Sequence, residues 1–230
     1  MKELEKIFGI KIRNKVFFSK ALRHTSYTKE NEMNVLESYE RLEFLGDAVL
    51  KLVISEILYK KYPKYQEGEL TKIRSIIVSD SMLAKIAHEI GLEKLVSLGV
   101  NEEKHGLRKS ESICACVFEA VLGAYYMDGS FQKLSRFMEK LFTPYIEDVD
   151  GNFPKYNAKA MLQEYTQGLS KETPVYRTVD EAGPAHEKVF TIEVCYKGDV
   201  IAQGQGKSKK EAEQNAALKA CEKLEVEKCQ

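Results

Sequence analysis

The chain has no run of about 18 apolar residues, the length a membrane-spanning helix needs, so a membrane span is excluded. Its opening, MKELEKIFGI, is too polar to read as a secretory signal. It has no surplus of charge either, since 35 lysines and arginines are matched by 35 aspartates and glutamates. A neutral chain does not advertise nucleic-acid binding, so any hold on phosphate must come from local clusters of cations. Cysteine is sparse and odd in number, with Cys114, Cys116, Cys195, Cys221 and Cys229. Cys114-Ala115-Cys116 is a C-x-C with nothing downstream to complete a zinc set, and reduced thiols in a cytoplasmic protein are the simplest reading. No Ser-His-Asp set, glycine-rich phosphate loop, internal repeat or low-complexity segment is visible. What remains is ordinary for a globular chain: 230 residues, 43% hydrophobic and 30% charged, enough to bury a core as one large domain or two modest ones.

Residues 1–148 read as helix after helix, without β-alternation. The stretch 39–59 is dominated by Leu42, Phe44, Leu45, Val49, Leu50 and Leu52 and contains no proline. Further helices are expected near 69–90, 111–127 and 131–147, with Tyr62-Pro63, Glu67-Gly68, Gly91 and Asp128-Gly129 as punctuation. The texture then changes. Residues 149–154 hold Gly151, Asn152 and Pro154 and little apolar content, which reads as a linker. Over 155–226 the pattern is α-β-β-β-α, with a helix at 156–169 and strands at 175–179, 188–196 and 200–203. Lys197-Gly198-Asp199 supplies a tight turn, and a last helix opens at Ser208 with Glu211 three residues on, the spacing of a capping box. The expected fold class is an all-α domain followed by a small α+β domain.

Acids stand where a helix should be apolar. At about 100° per residue, Glu40, Glu43 and Asp47 fall within roughly 60° of one another on a helix. Asp47 is the only charged residue from Phe44 to Leu50, and Glu119 the only one from Ile113 to Met127. A carboxylate in so apolar a run is costly unless paired, protonated or bound to a metal. Two helices offering inward carboxylates suit a hard divalent cation such as magnesium. A structural network, in which Arg41, Arg74 or His24 neutralises these acids, is equally compatible with the spacing.

At these residues the chain closely resembles the bacterial ribonuclease III family. The signature is ERLEFLGDAVL at 40–50, supported in order by ALRHTSY at 21–27, EGELTKIRS at 67–75 and ESI..CVFEAVLGAYYMD at 111–128. The second half resembles the double-stranded RNA-binding domain through AKAMLQEYTQ at 158–167, GPAH at 183–186 and GKSKKEAEQNAA at 206–217. The resemblance implies a catalytic domain over 1–148 and an RNA-binding domain over 155–226. It implies a homodimer that cleaves both strands of duplex RNA to 5′-phosphate and 3′-hydroxyl ends, in processing of ribosomal and other structured RNAs. It also implies roles: Glu43 and Glu119 hold Mg2+, Asp47 serves the metal site and the attacking water, and Glu40 and Glu67 line the catalytic valley. Phe44 is expected in the core or in a subunit contact, and His24 to help fix the acidic helix.

One departure matters. The family carries an aspartate three residues before the late glutamate, and here that position is Cys116. A thiol is a soft, poor ligand for magnesium. The site is then weakened, or prefers a softer ion such as Mn2+, or has been lost, leaving a duplex-RNA binder; the retained acids favour the first. In the second half, Lys207, Lys209 and Lys210 crowd a helix start, where cations oppose the helix dipole but a phosphate would be welcome. The resemblance implies RNA contacts from Gln163 and Gln167 in one minor groove, His186 in the next, and Lys207, Ser208, Lys209 and Lys210 on the phosphates between, read by shape over about 16 base pairs.

Overall fold

In the computed structural model, which describes residues 1–184 and 187–226, the chain divides by its contacts into two units, Met1–Glu147 and Asp148–Gln230. The first is helical: α1 Lys2–Phe8, α2 Lys15–Ala21, α3 Thr25–Glu30, α4 Glu40–Lys61, α5 Glu67–Ile77, α6 Asp80–Glu89, α7 Val100–Lys104, α8 Glu111–Met127 and α9 Phe131–Gly151, whose last residues fall in the second unit. The second unit continues with α10 Phe153–Leu169, β1 Val175–Ala182, β2 Val189–Tyr196, β3 Asp199–Gly206 and α11 Lys209–Lys223.

A helix that is apolar on every side must sit in the middle of its domain. α8 does so: from Ile113 to Tyr125 only Cys116 and Glu119 are not buried. It packs against α2, α4 and α6. Full burial of each large apolar side chain contributes about 1.5–3 kcal/mol, and Phe118, Leu122 and Tyr125 are all fully buried. The Tyr125 hydroxyl, the one polar atom at the end of that row, donates at 3.4 Å towards the carbonyls of Leu4 and Ile10. Just beyond, Asp128 accepts from the backbone N–H groups of Arg13 and Asn14 at 2.9 and 2.7 Å, which ties the N-terminal segment to the end of α8.

α4 meets α8 at two glycines. An added Cβ on Gly46 would lie 1.7 Å from the Glu119 carbonyl oxygen, and one on Gly123 would lie 2.2 Å from that of Leu42. The two backbones are therefore in direct contact at this crossing.

Three expectations change. The single helix over 69–90 is two, because α5 ends at Ile77 and Ser79 caps α6 by accepting from the Met82 N–H at 3.4 Å. The linker over 149–154 is helical except at Asn152. Pro154 sits in the first turn of α10, where its missing N–H costs nothing, so it starts a helix rather than breaking one. Phe44 is 83% exposed, which removes it from the core of a single chain.

In the second unit the strands form an antiparallel sheet in the order β1-β2-β3. Lys197 and Gly198 both take positive φ, 53° and 89°, as a tight two-residue hairpin requires. The inner face of the sheet is covered by α10 and α11 through Met161, Leu162, Val194, Ala216, Ala217 and Ala220. Gly204 and Gly206 let α11 lie against β3, since a Cβ on Gly204 would be 2.1 Å from the Ala216 nitrogen. Ser208 accepts from the Glu211 N–H at 3.1 Å, while the Glu211 carboxylate reaches one residue further back, to the Lys207 N–H at 2.7 Å.

Gly46→Ala is expected to destabilise the first unit by about 3 kcal/mol, because the new methyl group overlaps backbone that cannot yield. Urea unfolding measures this, and an unchanged midpoint would contradict the closeness of the crossing.

Candidate active site

The crossing sets the chemistry beside it. Glu43 and Asp47 flank Gly46 on α4, and Cys116 and Glu119 precede Gly123 on α8 by seven and four residues. Glu43, Asp47, Cys116 and Glu119 are all half-buried, so these acids line a shared cleft rather than entering the core. Burial first, then the negative charges of Asp47, Glu43 and Asp80, push the Glu119 carboxyl up to about 8, with Lys51 opposing. Burial also raises Glu43; Glu40, Asp80 and Asp47 add to it, and a hydrogen bond from Cys116 works the other way. Burial and Glu43 hold the Cys116 thiol up at about 12. It is a neutral group that donates to Glu43 and sits within hydrogen-bonding contact of Ser112 and Tyr39.

The cations that could have neutralised the cluster are elsewhere. Arg74 donates to the Ser55 hydroxyl at 2.8 Å and approaches Thr71. His24 accepts from the Ser26 N–H at 3.1 Å as the cap of α3 and packs its ring against Tyr39, the residue before α4. Burial lowers its pKa, against the pull of Glu102 and Glu40. Among the described residues, the only ion pair made by Glu40, Glu43, Asp47 or Glu119 joins Asp47 to Lys51 at 2.7 Å, one turn along α4. The reading of these acids as a structural network with Arg41, Arg74 or His24 therefore has no ion pair to support it.

Glu40 is exposed at the start of α4, where it accepts weakly from Ser38 at 3.4 Å and adds negative charge near Glu43. Glu67 stands apart on α5, accepting from Thr71 at 2.7 Å. Two residues of the cluster were missed in the sequence. Lys51 could have been found from its i,i+4 spacing to Asp47. Asp80 could not, because only the packing of α6 on α8 brings its charge near Glu43 and Glu119.

The donor set fits a hard divalent cation. Glu43, Asp47 and Glu119 offer oxygen ligands of the kind magnesium takes, and around Glu119 the charges of Asp47, Glu43 and Asp80 add to burial with one lysine against them. Among the described residues no three Asp, Glu, His or Cys side chains already converge as a coordination sphere. Loading an ion thus calls for side-chain rotation, including release of Asp47 from Lys51. Cys116 brings a neutral sulfur to the same cleft.

On the second unit, Gln163 and Gln167 are exposed on α10, either side of the buried Thr166. Lys207, Ser208, Lys209 and Lys210 are exposed at the start of α11. Lys209 pairs with Glu181 at 3.0 Å and stands 5.6 Å from the Phe190 ring. Glu181, which also binds Lys188, is a competitor for that lysine which the sequence did not announce. Lys207 and Lys210 have no ion pair among the described residues. His186 lies outside the described residues.

Comparison with known proteins agrees with this division. Residues 14–146 match the family model described as Ribonuclease-III-like, and residues 158–224 match the double-stranded RNA binding motif. Curated proteins named Ribonuclease 3 from Streptococcus pneumoniae strains CGSP14 and TIGR4 are 43% identical over 228 residues, covering 97% of this chain and 97% of theirs. Among solved structures, two of the nuclease domain of ribonuclease III from Campylobacter jejuni align with TM-score 0.56 at 34% identity. They cover 61% and 64% of this chain and 94% of each of theirs.

The raised Glu119 carboxyl predicts a pH dependence of stability. The folded state holds a proton there between the usual carboxylate range and about 8, while the unfolded state does not, so stability falls as pH rises through that window. In metal-free buffer with chelator, Glu119→Gln is expected to melt higher than the parent near pH 8, the two converging towards pH 5. Parallel melting curves across that range would refute the shift.

Proposed function

The chain belongs to the ribonuclease III family of endoribonucleases, and from that premise we propose that it cuts duplex RNA at the Glu43–Asp47–Glu119 cleft with a divalent cation, Mg2+ or Mn2+. The observation that carries the reading is that Glu43, Asp47 and Glu119 stand within electrostatic reach of one another with a single ion pair, Asp47 to Lys51, among the described residues. Glu43 and Glu119 would hold the ion. When bound, it supplies Lewis-acid stabilisation of the negative charge that develops on phosphate. Asp47, once released from Lys51, accepts a hydrogen bond from the attacking water and takes its proton as the oxygen–phosphorus bond forms. The bond from phosphorus to the 3′ oxygen breaks and that oxygen takes a proton from solvent water, leaving a 5′-phosphate and a 3′-hydroxyl. Glu40, at the mouth of the cleft, helps set its negative field. Cys116 stays a neutral thiol and occupies a hydrogen bond of Glu43, so the cleft carries one carboxylate fewer than the family pattern and binds magnesium more weakly.

We assign the catalytic work to 1–148 and duplex binding to 155–226, with Gln163 and Gln167 in a minor groove and Lys207, Ser208, Lys209 and Lys210 on phosphates. Ser208 would contribute from its capping position. The substrates we infer are ribosomal and other structured transcripts, processed in the cytoplasm. A homodimer is supported by α4 itself: Phe44, Leu52 and Tyr59 lie within roughly 80° of one another on the helix and are 83%, 57% and 75% exposed. One of the Campylobacter jejuni structures concerns flexibility in a region involved in dimer formation. Pairing across that stripe would let Glu67 of a second copy complete a valley from which it is separate in one chain.

The test is cleavage of a long RNA duplex by the full chain in magnesium, in manganese and in chelator. Short duplex products are expected with either ion and none with chelator. Glu119→Gln should slow cleavage by about 100-fold or more while duplex binding holds, and Cys116→Asp should raise the magnesium-supported rate. Binding without cleavage under both ions would favour instead a duplex-RNA binder that has lost its nuclease. An equal or lower rate for Cys116→Asp across a magnesium titration would sink the account of the thiol.

Replacing Lys207, Lys209 and Lys210 together by alanine is expected to weaken duplex binding at low salt. It should also flatten the dependence of log affinity on log salt by about two to three, near 0.9 for each lost phosphate contact on a duplex. Filter binding across a salt series reads both, and an unchanged affinity at low salt would refute the assignment.

A further inference from the structure

We propose that the groove between α1 and α9 is a docking site for an acidic, amphipathic peptide segment of a partner protein. The groove has a volume of about 820 Å³. Its floor is apolar, formed by Ile7, Phe8, Phe137 and Leu141, with the rings of Phe8 and Phe137 4.6 Å apart. Four cations border it: Lys6 from α1, and Lys133, Arg136 and Lys140 from α9. All four are exposed, and none has an ion pair among the described residues. Among the described residues no acid forms an ion pair with any of the four. Glu5 accepts from the Ile12 N–H, Glu89 accepts from the Tyr145 hydroxyl, and the charge of Glu139 acts on Lys60.

Unpaired like charges around a partly exposed apolar floor lower the stability of the free chain and are relieved by a partner with the opposite pattern. Lys133, Arg136 and Lys140 repeat at i, i+3 and i+7, so they form a row about 10 Å long on one face of α9, with Phe137 and Leu141 beside it. This is the complement of a short helix with apolar residues on one face and carboxylates flanking them. A nucleotide fits less well, because its phosphates need cations converged on a point and these are spread along a helix. Duplex RNA would leave the apolar floor unfilled, since it presents phosphate and sugar to a groove of this kind.

The experiment uses the full chain and a fluorescein-labelled peptide of about 14 residues, with leucines at helical i, i+3, i+4 and i+7 spacing and glutamates on the flanks. Anisotropy should show saturable binding that weakens with salt. The triple variant Lys133→Glu, Arg136→Glu, Lys140→Glu should lose at least about tenfold in affinity, and Lys6→Glu on the opposite wall should weaken binding independently. Both alter exposed side chains outside the acidic cleft, and RNA cleavage by both should match the parent, which reports that they fold. The proposal is overturned if the peptide does not bind, if a lysine-flanked version binds equally, or if the variants bind like the parent. Displacement of the peptide by equimolar ATP or a short RNA duplex would equally overturn it, by making the groove a nucleotide or nucleic-acid site.

Discussion

Where α4 crosses α8, the carbonyl oxygen of Glu119 stands 1.7 Å from where a side chain on Gly46 would begin, and that of Leu42 stands 2.2 Å from the same point on Gly123. Packed helices usually keep their axes about 8–10 Å apart because side chains separate them. Removing the side chain from both partners lets the backbones touch. The cost is about 1 kcal/mol of helix propensity at each glycine, and it is offset by the near-complete burial of α8, whose apolar residues face α2, α4 and α6. Because the crossing is so short, Glu43 and Asp47 on one helix come within electrostatic reach of Cys116 and Glu119 on the other. Any larger residue at either glycine would push the helices apart and dilute that coupling.

Coupling without neutralisation is the electrical consequence. Like charges in a partly buried cleft disfavour one another's ionisation, and burial adds to the effect. A protein selected only for stability would place an arginine there, and Arg74 is not far along the chain; its guanidinium instead holds Ser55 and Thr71. Lys51 pairs with Asp47 and offsets the shift of Glu119 only in part. The cleft is thus poised for a positive charge that the chain does not itself supply. Cys116 adds no charge to the arrangement, since its thiol is neutral well above physiological pH, and so leaves the repulsion to the carboxylates.

Much of this was legible in the sequence, and the failures have two causes. Periodicity located α4, α8 and the sheet because each carries its own apolar pattern, and Glu119 stood out as the lone charge in such a pattern. The division of 69–90 into α5 and α6 was hidden because Ser79 interrupts the helix without interrupting its apolar spacing. Pro154 suggested a break, yet position within the first turn reverses the meaning of a proline. Asp80 and Glu181 were invisible for a different reason. Each acts on residues distant in sequence, Asp80 on Glu119 and Glu181 on Lys209, and no local pattern encodes a partner that only the fold supplies.

Electrical neutrality, which does not by itself advertise a nucleic-acid partner, fits the way the second unit is built. Over 155–226 the cations and acids number 11 each, and the two kinds are interleaved: Glu181 holds Lys188 and Lys209, Glu213 holds Lys159, and Glu211 is spent on the backbone of α11. Lys207 and Lys210 remain without an ion pair among the described residues, next to the first turn of a helix whose N–H groups point the same way. A phosphate arriving there gains two free lysines at once, and a third only by drawing Lys209 from Glu181. Exposed pairs of that kind contribute little, about 0–1 kcal/mol, so the exchange is easily made. A unit with no net charge can therefore still present two free lysines together beside the first turn of a helix.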